Sequence, residues 1–470
     1  MSNSDYSRRE FIKKNAYGCA GMVLGTAIPA TVKAEAIFFP AKEKAGDTLQ
    51  ISVFDIDATP PVGSYLTYDQ MDGTWDMGLR AKGLVLTGAG DPIVLCAIDW
   101  IGISNESQDA FKTTLANAVR TNPKRVAVHT LHQHDAPICD FSAEKMLHEM
   151  GIAPMSFESS FARDFLTRLG KAVEDSLNEL RPVTNISIGK APVYEVASNR
   201  RIVNDGKVGT MRGTTCKDPV LRNEPEGLID PNVTLIGLWE GEKPLAVMTF
   251  YATHPQSYYL TKIANPDFPG VARFYRQLAV PGALHIHFNG AGGNIGAGKY
   301  NDGSHENRMI LAERLANGME RAWANSVKIP VTASDVSWTT ESVAFPVADE
   351  VIRQAESQVE TSDMRFLSNN MPKIVWAKRA QAGATIDIGC LTVGKARVLF
   401  VPGELFVEYQ LAAKAFRPDL AVSMAAYGDY GPFYIGTKEA YSQGGYEITS
   451  SPVTEDSEDI LMNVFRKLLM

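Results

Sequence analysis

Residues 126–137 read Val-Ala-Val-His-Thr-Leu-His-Gln-His-Asp-Ala-Pro. A short β-branched apolar run passes straight into two histidines spaced i, i+2. Val126–Val128 has the character of a buried strand, and residues two apart in extended chain share a face, so His132 and His134 are placed to look at one site. The same arrangement recurs elsewhere. Ala246-Val247-Met248-Thr249-Phe250-Tyr251 leads to His254-Pro255, Val398-Leu399-Phe400-Val401 leads to Pro402-Gly403-Glu404, and Leu284–Phe288 feeds the loop Asn289-Gly290-Ala291-Gly292-Gly293-Asn294. Ligands of α/β sheets bind in the crevice beyond strand C-termini, so these strands are expected to bring histidines, a glutamate and a Gly-rich loop to one edge. An open site of two His and one carboxylate is a familiar catalytic zinc arrangement. Taken singly, each signal has a plainer reading: a histidine in the core, or a Pro-Gly-Glu turn whose Glu404 caps the helix expected over 406–414. The convergence is what points to a metal.

Working outward, apolar runs at 94–99, 184–188, 233–238 and 421–426 add further strands, and helical stripes mark 104–121, 161–180 and 306–324. Interleaved strands and helices predict an α/β fold. The expectation is one large domain over 37–470, with a mostly buried mixed or parallel sheet flanked by helices and the metal site at strand C-terminal ends. No internal repeat, low-complexity tract or linker divides it. The Gly290–Gly298 stretch lacks the contexts of a phosphate loop.

Composition narrows the class. The chain has 470 residues, 45% of them apolar, and a net charge of −8, which argues against nucleic-acid binding through a basic face. No run reaches the ~18 apolar residues of a membrane span. The N-terminus, Ser7-Arg8-Arg9-Glu10-Phe11-Ile12-Lys13-Lys14, then an apolar stretch and Ala34-Glu35-Ala36, has the parts of a twin-arginine export signal. Residues 1–36 are expected to be cleaved and the product to be periplasmic or otherwise extracytoplasmic. Cleavage would leave 41 basic against 51 acidic residues, a net charge of −10. Cys96, Cys139, Cys216 and Cys390 match no zinc or redox spacing and read as buried thiols, with a disulfide as the alternative.

These residues resemble motifs of the neutral/alkaline ceramidase family, zinc amidases that release a fatty acid from an N-acylsphingosine. The similar segments are Asp57-Ala58-Thr59-Pro60-Pro61, His132-Gln133-His134-Asp135-Ala136-Pro137, Asn199-Arg200-Arg201, His254-Pro255, Asp267-Phe268-Pro269-Gly270, Pro402-Gly403-Glu404 and Tyr434 through Tyr446-Glu447, in the family's order. The resemblance implies Zn(2+) held by His132, His254, Glu404 and Tyr434. It places His134, Arg200 and Tyr446 around the substrate carbonyl, with metal-activated water cleaving an amide. It also puts the loop residues Asn294, Gly296, Lys299 and Tyr300 beside the substrate.

Two departures move the expected substrate away from ceramide. Gly296 stands where the family has a serine that assists cleavage, and the family's C-terminal immunoglobulin-like domain has no counterpart before Met470. The expected substrate is a small-molecule, lipid-like or glycan compound. The alternatives are a carbohydrate-directed enzyme on the same scaffold (a deacetylase or a metal-assisted glycan-cleaving enzyme, for which Lys299, Tyr300 and Asp302 would speak) and a non-catalytic metal-containing binding protein. The sequence leaves the oligomeric state open.

Overall fold

Strand β1 (Gln50–Asp57) alternates buried and exposed positions along much of its length, and so presents one face to a core. It pairs antiparallel with β2 (Arg80–Gly88), from Gln50↔Thr87 to Asp57↔Arg80, and β2 pairs antiparallel with β3 (Gly90–Ile98). The chain then crosses through helix α1 (Asn105–Val119) to β4 (Val126–Thr130), which lies parallel to β3 with Val94 opposite Val126. Helix α2 (Ser160–Ser176) joins α1 on the outer face, where Phe111, Leu115, Phe165, Leu169 and Val173 pack on Val94, Cys96 and Val128. These coordinates come from a computed structural model that describes residues 48–75 and 77–470.

The same topology occurs again twice. Strands β5 (Asn185–Pro192), β6 (Asn232–Glu240) and β7 (Lys243–Tyr251) form an antiparallel meander, helix α3 (Asp267–Ala279) crosses, and β8 (Leu284–Asn289) runs parallel to β7. Helices α3 and α4 (Glu306–Ala324) cover its outer face through Phe268, Val271, Leu311 and Leu315. In the third unit β9 (Val336–Val343), β10 (Ile386–Val393) and β11 (Ala396–Phe400) are antiparallel neighbours, while β12 (Ala421–Ala425) lies parallel to β11. Its cover is α5 (Met364–Gln381), the crossing helix α6 (Val407–Phe416) and α7 (Ser457–Leu469). The inner faces of all three sheets meet in one core built from Leu84, Leu95, Ile236, Met248, Ile286, Phe288, Leu391, Val398 and Phe400. Each such side chain contributes about 1.5–3 kcal/mol on burial.

The expected α/β class and mixed, helix-flanked sheet architecture are found, with most strands in three sheets of four or five strands and the rest in two-stranded pairs among the described residues. The described residues form one compact unit. A threefold repeat of topology is present although no repeat is visible in the sequence. The three units share a strand order and not a residue pattern.

Equivalent positions in the units feed one place. The segments after β3, β7 and β11 contain Ile101, His254 and Glu404, and those after β4, β8 and β12 contain His132, Asn294 and Tyr434. The connections between each unit's first and second strands hold Tyr68, Arg200 and Arg365. Asn289, at the end of β8, stitches the units together. Its side chain donates to Leu131 O (3.2 Å) and accepts from Thr253 N (3.3 Å), while its carbonyl accepts from Ala426 N (2.9 Å).

A second tie is ionic. Arg273 on α3 donates both guanidinium nitrogens to Asp99 beyond β3, at 2.9 and 2.6 Å, with the aspartate side chain fully buried. Removing one partner of such a pair leaves an uncompensated buried charge. Arg273→Ala is therefore expected to lower the unfolding free energy by about 3–5 kcal/mol. Chemical denaturation would measure this, and a loss below about 1 kcal/mol, typical of an exposed pair, would contradict it.

The cysteines Cys96, Cys139, Cys216 and Cys390 are free and buried, and burial pushes the Cys139 and Cys390 thiols up to about 12. Among the described residues no helix is long and apolar enough to cross a membrane. The segment expected to be an export signal, 1–36, lies outside the described residues.

Candidate metal centre and active-site cavity

Beyond β4 the backbone turns sharply, and His132 takes a left-handed conformation (φ 71°). Non-glycine residues rarely adopt it, and such strain persists where surrounding structure imposes it. Tyr427 (φ 60°) and Phe433 (φ 48°), on the segment after β12, share the same region of backbone space. Tyr427 stacks on the His132 ring at 4.6 Å between centroids. Glycines admit the close approaches. A Cβ on Gly293 would lie 2.3 Å from the carbonyl oxygen of Glu404.

Two imidazoles are pinned from behind. His132 Nδ1 lies 2.8 Å from Ile101 O, and His254 Nδ1 lies 2.8 Å from Gly292 O and 3.0 Å from Ile295 O. With Nδ1–H donating to those carbonyls, each Nε2 carries its lone pair on the site side, the usual state of a ligating histidine; that of His254 also lies 3.5 Å from Arg200 Nη1. Both Nε2 atoms face Glu404 Oε2, at 3.4 Å from His132 and 3.1 Å from His254. That oxygen is buried and hydrogen-bonded to nothing, while Oε1 accepts from the Tyr430 hydroxyl at 2.9 Å.

Electrostatics agree with the geometry. Burial, with Arg200 adding to it, lowers His254 to about 4. A carboxylate oxygen 3.4 and 3.1 Å from two Nε2 atoms suits a dication bound at ~2.0–2.1 Å. The two-residue strands Glu404–Leu405 and Tyr434–Ile435 pair in parallel with Glu404 opposite Tyr434, which brings the fourth expected ligand alongside.

His134 is different. Its ring meets those of His132 and His254 at 4.8 and 5.8 Å, and one ring nitrogen of each of the three lies within 4.8 Å of the others. Yet His134 Nδ1 has no hydrogen-bond partner. Nothing fixes its tautomer as the carbonyls fix the other two. Burial, then the neighbouring histidines, push it well below the usual imidazole range, so it is neutral.

Arg200 forms the far wall. Its Nη2 donates to Gly293 O (2.5 Å), Glu447 Oε1 (3.1 Å) and Tyr434 Oη (3.3 Å). Burial works against its charge, but Tyr434 and Glu447 outweigh that and hold the guanidinium protonated. Glu447 also binds Arg201 at 3.1 Å. Tyr446, half-exposed, meets Tyr434 edge-on at the lip. His132, His134, Arg200, His254, Glu404, Tyr434 and Tyr446 thus line one cavity of ≈ 320 Å³.

The loop residues are placed otherwise. Asn294 Oδ1 accepts from Val407 N and its amide donates to Glu408. Lys299 Nζ donates to the carbonyls of Arg222 and Glu224, and the Tyr300 hydroxyl donates to Glu226. None of these three is on the cavity wall. Gly296 is buried just behind it, where a Cβ would come within 2.9 Å of Thr214 Cγ2 and 3.2 Å of Arg200 Cδ. Thr214, hydrogen-bonded to Gln256, occupies the space a residue-296 side chain would need.

His129, His285 and His287 sit in the interior. His129 Nδ1 lies 2.8 Å from Ala426 O and His287 Nδ1 lies 2.9 Å from the Thr249 hydroxyl. The sequence reading missed the cavity residues Tyr68, Thr214, Gln256, Tyr259, Arg365, Asn369 and Tyr430. It also gave Glu447 no role, although the Tyr446-Glu447 pair was in view.

No protein-family model and no curated protein matches the chain. Solved structures do. The crystal structure of neutral ceramidase from Pseudomonas aeruginosa superposes with a TM-score of 0.65 at 15% identity, over 90% of this chain and 74% of that one. A ceramidase complexed with C2 gives the same values. The chain therefore has the neutral ceramidase fold, three sheets converging on one buried site.

Proposed function

We propose that the chain is a zinc-dependent hydrolase that cleaves an amide (N-acyl) bond, exported by its twin-arginine segment. The observation that carries this reading is the convergence of His132 Nε2 and His254 Nε2 on the unpartnered Glu404 Oε2 at 3.4 and 3.1 Å, at the floor of an open cavity. His132, His254 and Glu404 would hold the ion, with Tyr434 beside them. A bound dication supplies polarisation of a carbonyl and acidification of water.

The chain's own residues do the rest. The Tyr430 hydroxyl orients the carboxylate. Arg200, charged and fixed by Glu447 on the cavity wall, stabilises the negative charge that develops on the carbonyl oxygen, a kind of contribution worth about 2.7–4 kcal/mol per donor in other enzymes. His134, neutral and free at Nδ1, takes a proton as water adds to the carbonyl and returns it to the leaving amine as the C–N bond breaks.

The cavity wall favours a polar substrate. Thr214, Thr215, Gln256 and Asn369 supply hydroxyl and amide groups among the tyrosines. The same observation supports the second reading, a carbohydrate-directed enzyme, which now rests on those residues and not on Lys299 or Tyr300.

Elemental analysis of the purified protein is expected to find about one zinc per chain. A screen of N-acyl lipids beside N-acetylated and plain glycosides should show release of a free amine. Zinc-loaded protein that cleaves only a glycosidic bond would replace the first reading with the second.

A further inference from the structure

We propose that the substrate carries an anionic group, and that Arg365 at the mouth of the cavity binds it. This inference rests on reading the cavity as the substrate site. Arg365 and Asn369 are four residues apart on α5, so they share a helix face, and both line the cavity. The guanidinium donates to the Tyr259 hydroxyl at 3.0 Å and lies 5.9 Å from the Tyr68 ring centroid. Among the described residues it pairs with no carboxylate. Asn369 accepts the Tyr68 hydroxyl proton on Oδ1 at 3.3 Å, which leaves its amide N–H groups as the polar donors beside Arg365.

The charges in the cavity are unequal. Glu404 is the only carboxylate on the described wall, and it faces His132 and His254 on the floor. Arg200 is answered by Glu447 at 3.1 Å. Among the described residues no carboxylate answers Arg365, in a chain whose net charge is −8. An uncompensated cation at the rim of a concave site raises the local concentration of anions. Its planar fork matches a carboxylate or phosphate in bidentate fashion.

The spacing is suitable. Tyr68 stacks 6.1 Å from His134 and Tyr259 lies 5.6 Å from it, so one layer of aromatic rings separates Arg365 from the reacting end. The anion is then several bonds from the amide. The tyrosines between give a surface for the intervening chain. This is a different demand from that of a neutral two-tailed lipid.

The test measures binding and turnover separately. Three probes share one acyl chain: N-hexanoyl-4-aminobutyrate, N-hexanoyl-O-phosphoethanolamine and the neutral N-hexanoyl-4-aminobutanamide. Calorimetry on the metal-free full chain should show at least one anionic probe binding tenfold or more tighter than the neutral one. Whether the carboxylate or the phosphate leads identifies the anion. In Arg365→Gln that ratio should collapse toward one, and in Arg365→Lys it should be partly kept, since the charge remains without the fork. Equal binding of all three probes by the wild type, or a preference that survives in Arg365→Gln, would overturn the proposal, as would no measurable binding. Amine release by the zinc-loaded protein is the separate readout. Anion-selective binding with no amine release from any probe would sink the amidase reading and leave the Arg365 site standing.

Discussion

Replacing His132 or His254 with alanine is expected to remove bound zinc and reduce hydrolysis to background. Each imidazole is one of the two nitrogen donors facing Glu404 Oε2. A single loss leaves one nitrogen and one carboxylate in a buried pocket. Mutating groups that merely orient ligands costs 10–100-fold in affinity, and losing a ligand costs more. Position 132 offers a second readout that does not depend on metal. Its left-handed backbone (φ 71°) strains any residue with a Cβ by about 1–2 kcal/mol and glycine hardly at all. Metal-free His132→Gly should therefore be more stable than metal-free His132→Ala by about 1 kcal/mol, although alanine normally leads glycine. Both variants should lack zinc. Full activity and zinc in either alanine variant would end the metal-centre reading, and a more stable alanine variant would show that the backbone at 132 is unstrained.

How much of this was legible depended on how local the information is. The runs 94–99, 246–253 and 396–401 identified β3, β7 and β11 because strands buried on both faces are nearly continuous in apolar residues. The histidines and Glu404 were legible for the same reason, since each follows such a strand directly. Strand β9, Ser-Trp-Thr-Thr-Glu-Ser between its terminal valines, is largely solvent-facing and gave no apolar run. Helix α5 carries Pro372 in its interior, which obscures the helical pattern. Arg365 and Asn369 were therefore invisible as cavity residues. They reach the site only because the third unit packs beside the first. Lys299 and Tyr300 erred in the opposite direction. They are close in sequence to the Gly-rich loop, but at Gly298 the chain runs hard against Gly213, where a Cβ would meet a carbonyl oxygen at 1.9 Å. Their side chains are turned toward the segment at 222–226. Nearness along a chain that has just turned carries little about direction.

The variant that separates a two-histidine, one-glutamate centre from a three-histidine centre is His134→Ala. Distance alone does not decide between them, because one ring nitrogen of each of His132, His134 and His254 lies within 4.8 Å of the others. Hydrogen bonding does. Backbone carbonyls hold His132 and His254 in one tautomer and orientation, whereas His134 Nδ1 is buried and unpartnered, and Glu404 faces the first two only. A ligand needs a fixed lone pair, and a proton carrier needs a ring nitrogen free to change state. His134→Ala should thus keep about one zinc per chain while turnover falls by about 10²–10⁴-fold, the range for a lost general acid–base. The loss should appear in kcat, since proton transfer is felt at the transition state and not in the ground-state complex. Zinc content and single-turnover rates on the same preparation check both halves. If the variant loses its zinc along with its activity, His134 is a ligand. Proton transfer would then have to be reassigned, and the unpartnered Oε2 of Glu404 would be the group best placed to take it.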